Sequence, residues 1–373
     1  MLTIYTCILV GFLIWTIINS LFMPRLSDTK LTRDEDGLVS ILIPLRDEEQ
    51  NVKDLVQSLK QLTYANIEII LLDDHSTDNT LKLLLQTTKS DSRFNVVQGL
   101  ELPNGWTGKV FACHQLSELA KGDYLLFNDA DLRLAPDVIQ ASLSLMTKRK
   151  AVLLTGFPAF PVTRWLEKLL VPLQHFVVHF HLPLAPANWT LFPSFTAAHG
   201  AFMMMNKETY KQIGGHKAIY NTLLDDVDLT RRFKKKGHRA LLANVTSATT
   251  CYMYHSNAEV WNGFTKNLFP GLGRSRFLVC MLFFFYGAFY VGPFLLLLFG
   301  LFHLVTGAFQ PGLFYPYLVI ILQKAWVDVR TKQSMALSLL MPFSAAAFMI
   351  LLIHSMRTGL NQKGYVWKGR TYS

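Results

Sequence analysis

The chain has 373 residues, of which 51% are hydrophobic, 13% aromatic and only 17% charged, which excludes a disordered, collagenous or low-complexity protein. Lysine and arginine number 36 against 26 aspartate and glutamate, a formal charge of +10. Combined with so much apolar sequence, that basicity points to a lipid bilayer as partner rather than to nucleic acid. The four cysteines, Cys7, Cys113, Cys251 and Cys280, lie in separate segments without metal-ligand spacing, so no disulfide framework is expected and a reducing compartment is allowed.

From Leu2 to Met23 the chain carries no charge, and at about 1.5 Å per residue it can cross a hydrocarbon layer of about 30 Å. No basic segment precedes it and no small-residue cleavage site follows it, so residues 1–23 read as an uncleaved transmembrane anchor. Arg25, Lys30 and Arg33 then place the following segment in the cytoplasm by the positive-inside rule.

Residues 24–275 have the size of one α/β domain, with neither internal repeat nor flexible linker. Short apolar runs, VSILIPL at 39–45, IEIILL at 67–72, NVVQGL and DYLLFN at 123–128, alternate with amphipathic stretches. The pattern predicts parallel strands covered by helices on both faces, with ligands bound outside the carboxyl ends of the strands. Acidic clusters follow three of those runs: Arg46-Asp47-Glu48-Glu49, Asp73-Asp74-His75-Ser76-Thr77-Asp78 and Asp129-Ala130-Asp131. One such cluster is an ordinary turn or helix cap, but three at strand ends predict a site. Asp129 and Asp131 form a hard oxygen site for Mg²⁺ or Mn²⁺, which would let an anionic nucleoside diphosphate lie among carboxylates.

Gly105-Trp106-Thr107-Gly108-Lys109 offers flexible backbone and one cation suited to a diphosphate, although it is not a P-loop. Leu224-Asp225-Asp226-Val227-Asp228 opens a helix that runs through three lysines to Gly237. Complementing the helix dipole explains the lysines better than it explains three carboxylates. The Met203-Met204-Met205 run reads as a buried strand. His175, His179 and His181 have a zinc-like spacing, but their apolar setting favours an interfacial helix facing a lipophilic acceptor.

Beyond Phe277 an uncharged run reaches Phe309, compatible with one tilted or Pro293-kinked helix. Met335–Met356 is a second run of spanning length, whereas the run from Gly312 to Val327 is interrupted by Gln323 and Lys324 and is marginal. If all three span, the tail with Arg357, Lys363, Lys368 and Arg370 lies outside the cell. If the middle one is re-entrant, the tail is cytoplasmic, which suits the charge rule slightly better. Residues 276–373 are thus a membrane region of two or three spans plus a basic tail.

Taken together, ILIPLRDEE, LLDDHSTD, GWTGK, FNDAD, YKQIGGH and LDDVDLTRRFKKKG resemble, in order, the motifs of family-two inverting glycosyltransferases of GT-A fold. GWTGKVFACHQ, NKETYKQIGGHK and VWKGRTYS are more particularly similar to bacterial membrane-bound diaponeurosporenoate (carotenoid) glycosyltransferases. The resemblance implies that Asp74 binds the nucleotide base, with Arg46 and Glu48 lining that pocket, and that Lys109 meets the diphosphate. It further implies that Asp129 and Asp131 hold the ribose and the metal, that Asp226 is the general base with Asp225 orienting it, and that Gly214, Gly215 and His216 shape the acceptor side. The arginine-tryptophan motif of processive synthases is missing; Trp261 to Asn267 lacks its arginine and terminal tryptophan, which disfavours polymer synthesis. The expected protein is a multi-pass cell-membrane enzyme with a cytoplasmic catalytic domain, moving a hexose, with glucose expected, from a UDP-sugar to a carotenoid or related isoprenoid. A glycerolipid, sphingolipid or polyprenyl phosphate acceptor is the alternative. Oligomeric state is left open.

Overall fold

The computed structural model describes residues 1–26 and 37–361, and the backbone of two strands at 365–367 and 370–372. Lys30, Arg33, Lys363 and Lys368 therefore lie outside the described residues. In chain order the elements are α1 (Leu2–Ser20), β1 (Val39–Leu45), α2 (Glu49–Lys60), β2 (Ile67–Asp73), α3 (Thr80–Thr88), β3 (Phe94–Gln98), α4 (Gly108–Leu119), β4 (Tyr124–Asn128) and β5 (Leu132–Leu134). There follow α5 (Val138–Arg149), β6 (Leu153–Phe157), α6 (Trp165–Leu170), α7 (Leu173–His181), α8 (Leu184–Trp189), β7 (Phe202–Asn206), α9 (Lys207–Gln212), α10 (Asp225–Lys235), β8 (Ala240–Asn244) and β9 (Thr249–Cys251). The remainder is helical, α11 (Asn257–Gly271), α12 (Arg276–Tyr286), α13 (Gly292–Val305), α14 (Tyr315–Arg330) and α15 (Met341–Leu360), closed by the hairpin β10 (Tyr365–Trp367) and β11 (Arg370–Tyr372).

The chain divides into two compact units, one of residues 1–22, 160–183 and 254–373, the other of 23–159 and 184–253. This differs from the boundaries read along the sequence, where 24–275 formed one domain. Segments 160–183 and 254–275 fold with the long apolar helices: Trp15 Nε1 donates to Phe180 O at 2.8 Å, and Asn19 Nδ2 to His179 O at 2.7 Å. No periodicity signals such long-range bonds.

The second unit is built on a seven-stranded sheet in the order β3-β2-β1-β4-β7-β6-β8. β1 is parallel to both β2 and β4, with Val39 opposite Ile67 and Tyr124. The expected all-parallel sheet is corrected at β7, which runs antiparallel to β4 and β6 and presents Met203–Met205 as a fully buried strand. On one face Val110, Cys113 and Leu116 of α4 and Leu229 and Phe233 of α10 pack over Leu42, Leu72, Phe127 and Met205. The carboxyl ends of β1, β2 and β4 consequently open at one edge of a rigid layer.

In the first unit three helices are long and apolar enough to cross a membrane, Leu2–Ser20, Arg276–Val305 and Met335–Leu360. The second is continuous through Gly287–Val291, a π-turn placed ahead of Pro293, whose ring cannot donate to the helix ladder.

Candidate active site

The turns after β1 and β2 interlock. Asp47 and His75 both hold left-handed backbone, at φ 50° and 56°, a conformation that costs of order 1–3 kcal/mol unless its surroundings enforce it. Here they do: Asp47 N donates to Ser76 Oγ at 3.0 Å, Thr77 N donates to Asp47 Oδ1 at 2.7 Å, and Arg46 Nη1 donates to Asp74 O at 2.7 Å. Asp74 is buried at 5% exposure, and Glu48 accepts from Asn51 Nδ2 at 2.7 Å. Arg46, Glu48 and Asp74 are thereby brought to one corner, as the sequence implied.

Beside it, Asp129 follows β4, and its Oδ1 lies 2.8 Å from Lys109 Nζ at the first turn of α4. The same ammonium lies 3.9 Å from Asp225 Oδ2 at the start of α10. The Lys109 loop is tied to that region because Thr107 N and Oγ1 donate to Tyr220 O and Thr222 O, at 2.9 and 3.0 Å. Burial lowers the Lys109 pKa, but Asp129 and Asp225 outweigh it and hold the ammonium well above its ordinary value. Asp129 is raised by burial and by Asp225, against the attraction of Lys109.

Asp131 is pushed up to about 7 by burial, then by the charges of Asp129 and Glu48, while a hydrogen bond from the Cys251 thiol works the other way. Its Oδ1 is buried without a hydrogen-bond partner. An orphaned, buried, hard oxygen beside a second carboxylate fits a divalent cation. Among the described residues no group of three or more His, Cys, Asp or Glu side chains could hold a metal ion, so ligand oxygens would have to complete the shell. That is how Mg²⁺ is usually bound beside phosphates.

Asp226 accepts from Val227 N at 2.8 Å and is raised to about 7, by burial first and by Asp225 second. Asp228 is turned away, its Oδ2 accepting from Thr222 Oγ1 at 2.5 Å. Gly200 was missed in the sequence. A Cβ there would stand 3.1 Å from Lys109 Nζ and 3.6 Å from Asp226 Cβ, so only glycine leaves the space between base and cation open. Its neighbour His199 is buried and held neutral, its pKa lowered to about 3 by burial and by Lys109. Nothing in a lone His-Gly pair announces this placement.

Gly214, Gly215 and His216 occupy a packing role instead of lining an open surface. The His216 ring is 2% exposed, 4.7 Å from that of Phe127, and its Nδ1 lies 2.8 Å from Tyr210 Oη. His175 and His179 in α7 are likewise buried, and His181 Nε2 lies 2.9 Å from Tyr286 Oη.

With this geometry in place, the class is defined by fold and site together: a GT-A-like α/β layer whose carboxylate-lined crevice receives a nucleotide sugar, the architecture of a glycosyltransferase. Residues 40–214 match Glycosyl transferase family 2, and the chain carries a domain of that family. Over 263 residues it is 24% identical to a 4,4'-diaponeurosporenoate glycosyltransferase of Staphylococcus haemolyticus, covering 68% of this chain and 67% of the relative. Over 114 residues it is 31% identical to a beta-monoglucosyldiacylglycerol synthase of a Nostoc species, covering 30% of this chain and 24% of that protein. Its fold is similar to that of a mannosyltransferase from Pyrobaculum calidifontis solved with GDP-Man and Mn²⁺, at a TM-score of 0.56 and 14% identity, covering 97% of this chain and all (100%) of that one.

Proposed function

We propose that the protein transfers a hexose, glucose first among the candidates, from a UDP-sugar to a lipophilic acceptor of the carotenoid or isoprenoid class, with inversion at the anomeric carbon. The observation that carries this reading is the Lys109 ammonium held between Asp129 and Asp225, beside the orphaned oxygen of Asp131. A cation and a metal-ready carboxylate pair are what a departing diphosphate requires. Arg46, Glu48 and Asp74 would hold the nucleoside, and Lys109 would exchange its carboxylates for diphosphate oxygens. Asp129 and Asp131 would hold a Mg²⁺ or Mn²⁺ ion, which when bound neutralises charge on the leaving diphosphate.

Asp226, with Asp225 beside it, would take the proton of an acceptor hydroxyl as that oxygen attacks C1. The C1–O bond to the diphosphate then breaks and UDP departs with the electron pair. A carboxylic acid acceptor is already ionised near neutral pH and needs no base, so for it Asp226 would only orient the acceptor. The three apolar helices support a membrane enzyme, and Arg25 after the first of them supports a cytoplasmic catalytic unit.

The test incubates purified protein with labelled UDP-glucose and other UDP-sugars, Mn²⁺ and lipid extracts, and reads products by mass spectrometry. A glycosylated isoprenoid is expected, lost in EDTA and in Asp131→Ala. Glucosylated diacylglycerol alone would replace the acceptor class, and full turnover in EDTA would remove the metal.

A further inference from the structure

α14 carries Gln323, Lys324 and Asp328, which ought to keep a helix in water, yet it is built inside out. Those three polar residues are 0%, 2% and 0% exposed, whereas Tyr315, Leu318, Leu322 and Val329 are 53%, 51%, 49% and 58% exposed. Lys324 pairs with Asp328, and Gln323 accepts from Tyr290 Oη at 3.1 Å and donates to Thr16 Oγ1 at 2.8 Å. An apolar outer face over a paired ionic interior is the arrangement demanded where the surroundings are lipid.

Its contacts also fix how far it reaches. At one end a Cβ on Gly312, just before α14, would stand 3.3 Å from Leu2. Midway, Gln323 meets Thr16; at the other end Trp326 Nε1 donates to Ser20 Oγ at 2.9 Å and Arg330 Nη2 to Ser20 O at 3.0 Å. The two sequences advance together, so α14 runs parallel to α1 and crosses whatever thickness α1 crosses.

The next segment behaves differently. Gln333 Nε2 donates to Phe160 O at 3.0 Å and Gln333 N to Asp328 O at 2.8 Å, which keeps the start of this segment at the C-terminal end of α14. Six residues on, Leu339 O accepts from Tyr317 Oη at 3.0 Å, so the 3-10 stretch Met335–Leu340 has climbed back along α14. α15 then descends beside α12 and α13: Phe343 meets Phe294, Phe348 meets Tyr286, and Ser355 Oγ accepts from Phe269 N at 3.0 Å. The tip of this hairpin, at Phe294 and Tyr317, stops short of the Gly300 to Leu313 contact that marks the far ends of α13 and α14.

We propose that α14 is a membrane span whose exposed face meets lipid acyl chains, and that Met335–Leu360 is a re-entrant hairpin returning the tail to the side of the catalytic unit. This rests on the membrane reading of the first unit. It replaces both topologies weighed from the sequence, in which the last run always crossed.

The test uses full-length protein in cells with the exposed cysteines removed as Cys7→Ser and Cys280→Ser; Cys113 and Cys251 are buried. Single cysteines are placed at exposed positions as Leu100→Cys, Gln310→Cys, Ser334→Cys and Asn361→Cys, and probed with an impermeant maleimide before and after permeabilisation. Positions 100, 334 and 361 should share one side and position 310 the other. In the otherwise unmodified chain, a C-terminal fluorescent protein should mature in the cytoplasm. Position 334 labelling with 310 would show that α14 does not cross, and 361 labelling with 310 would show that α15 does; either overturns the proposal. All four labelling alike would instead remove the membrane reading beneath it.

Discussion

Asp226 illustrates how a single residue's role depends on its surroundings. Its pKa of about 7 arises because burial and Asp225 both penalise the ionised form, which Lys109 offsets only in part. A carboxyl raised in the native state binds its proton where the unfolded chain has already lost it. Native stability therefore falls as pH rises from about 4 to about 7, while the fraction able to act as a base rises over the same upper range. For a hydroxyl acceptor, kcat should climb with pH through an apparent value near 7, and Asp226→Asn should remove that limb and cost about 10²-fold or more. A pH–rate profile of the pair checks this; near-normal turnover of the variant on a carotenoid acid would mean that Asp226 is no base here. At the same time, Asp226→Asn should flatten the loss of thermal stability between pH 5 and pH 8, measured on the unliganded protein, because the group that resists ionisation is gone.

At the scale of the element, the turn before α10 depends on a glycine that no helix or strand pattern explains. Gly215 has φ 50°, and a Cβ on it would stand 2.6 Å from the Tyr210 ring, whose hydroxyl accepts from His216 N at 3.0 Å. Gly215→Ala must therefore both strain the backbone, at about 1–3 kcal/mol, and displace a buried aromatic ring. Gly237, which ends α10 at φ 84° with no atom within 4 Å of its would-be Cβ, should lose only about 1 kcal/mol on replacement by alanine. Denaturant melts of the two variants should separate clearly, with Gly215→Ala the worse; equal losses would mean that Tyr210 moves aside freely.

For the molecule as a whole, the crevice at the ends of β1, β2 and β4 concentrates Glu48, Asp129, Asp131, Asp225 and Asp226 around one lysine, and the orphaned Asp131 oxygen is costly until a cation meets it. A ligand that binds only the folded state at 100 times its Kd adds about 2.7 kcal/mol. Mn²⁺ with UDP should accordingly raise the unfolding temperature by several degrees, and UDP alone by much less. Asp131→Asn should abolish the difference between the two. Equal shifts with and without Mn²⁺ would show that the nucleotide binds without metal.

Much of this was legible in the chain itself. Continuous apolar runs at 39–45 and 67–72 could only be strands buried on both faces, and acidic clusters directly after them marked the carboxyl edge of the sheet where the structure places Arg46, Asp74 and Asp129. Those signals are local, because strand burial and turn chemistry are set by neighbours in sequence. The antiparallel course of β7, Gly200 between Lys109 and Asp226, His216 buried under Phe127, and the union of 160–183 with the apolar helices were decided by tertiary structure alone. Each depends on a partner distant in sequence, and neither composition nor period records which distant partner a side chain will meet. α14 makes the same distinction in one helix: its charges argued against burial in lipid until Lys324, Asp328 and Gln323 found one another, Tyr290 and Thr16.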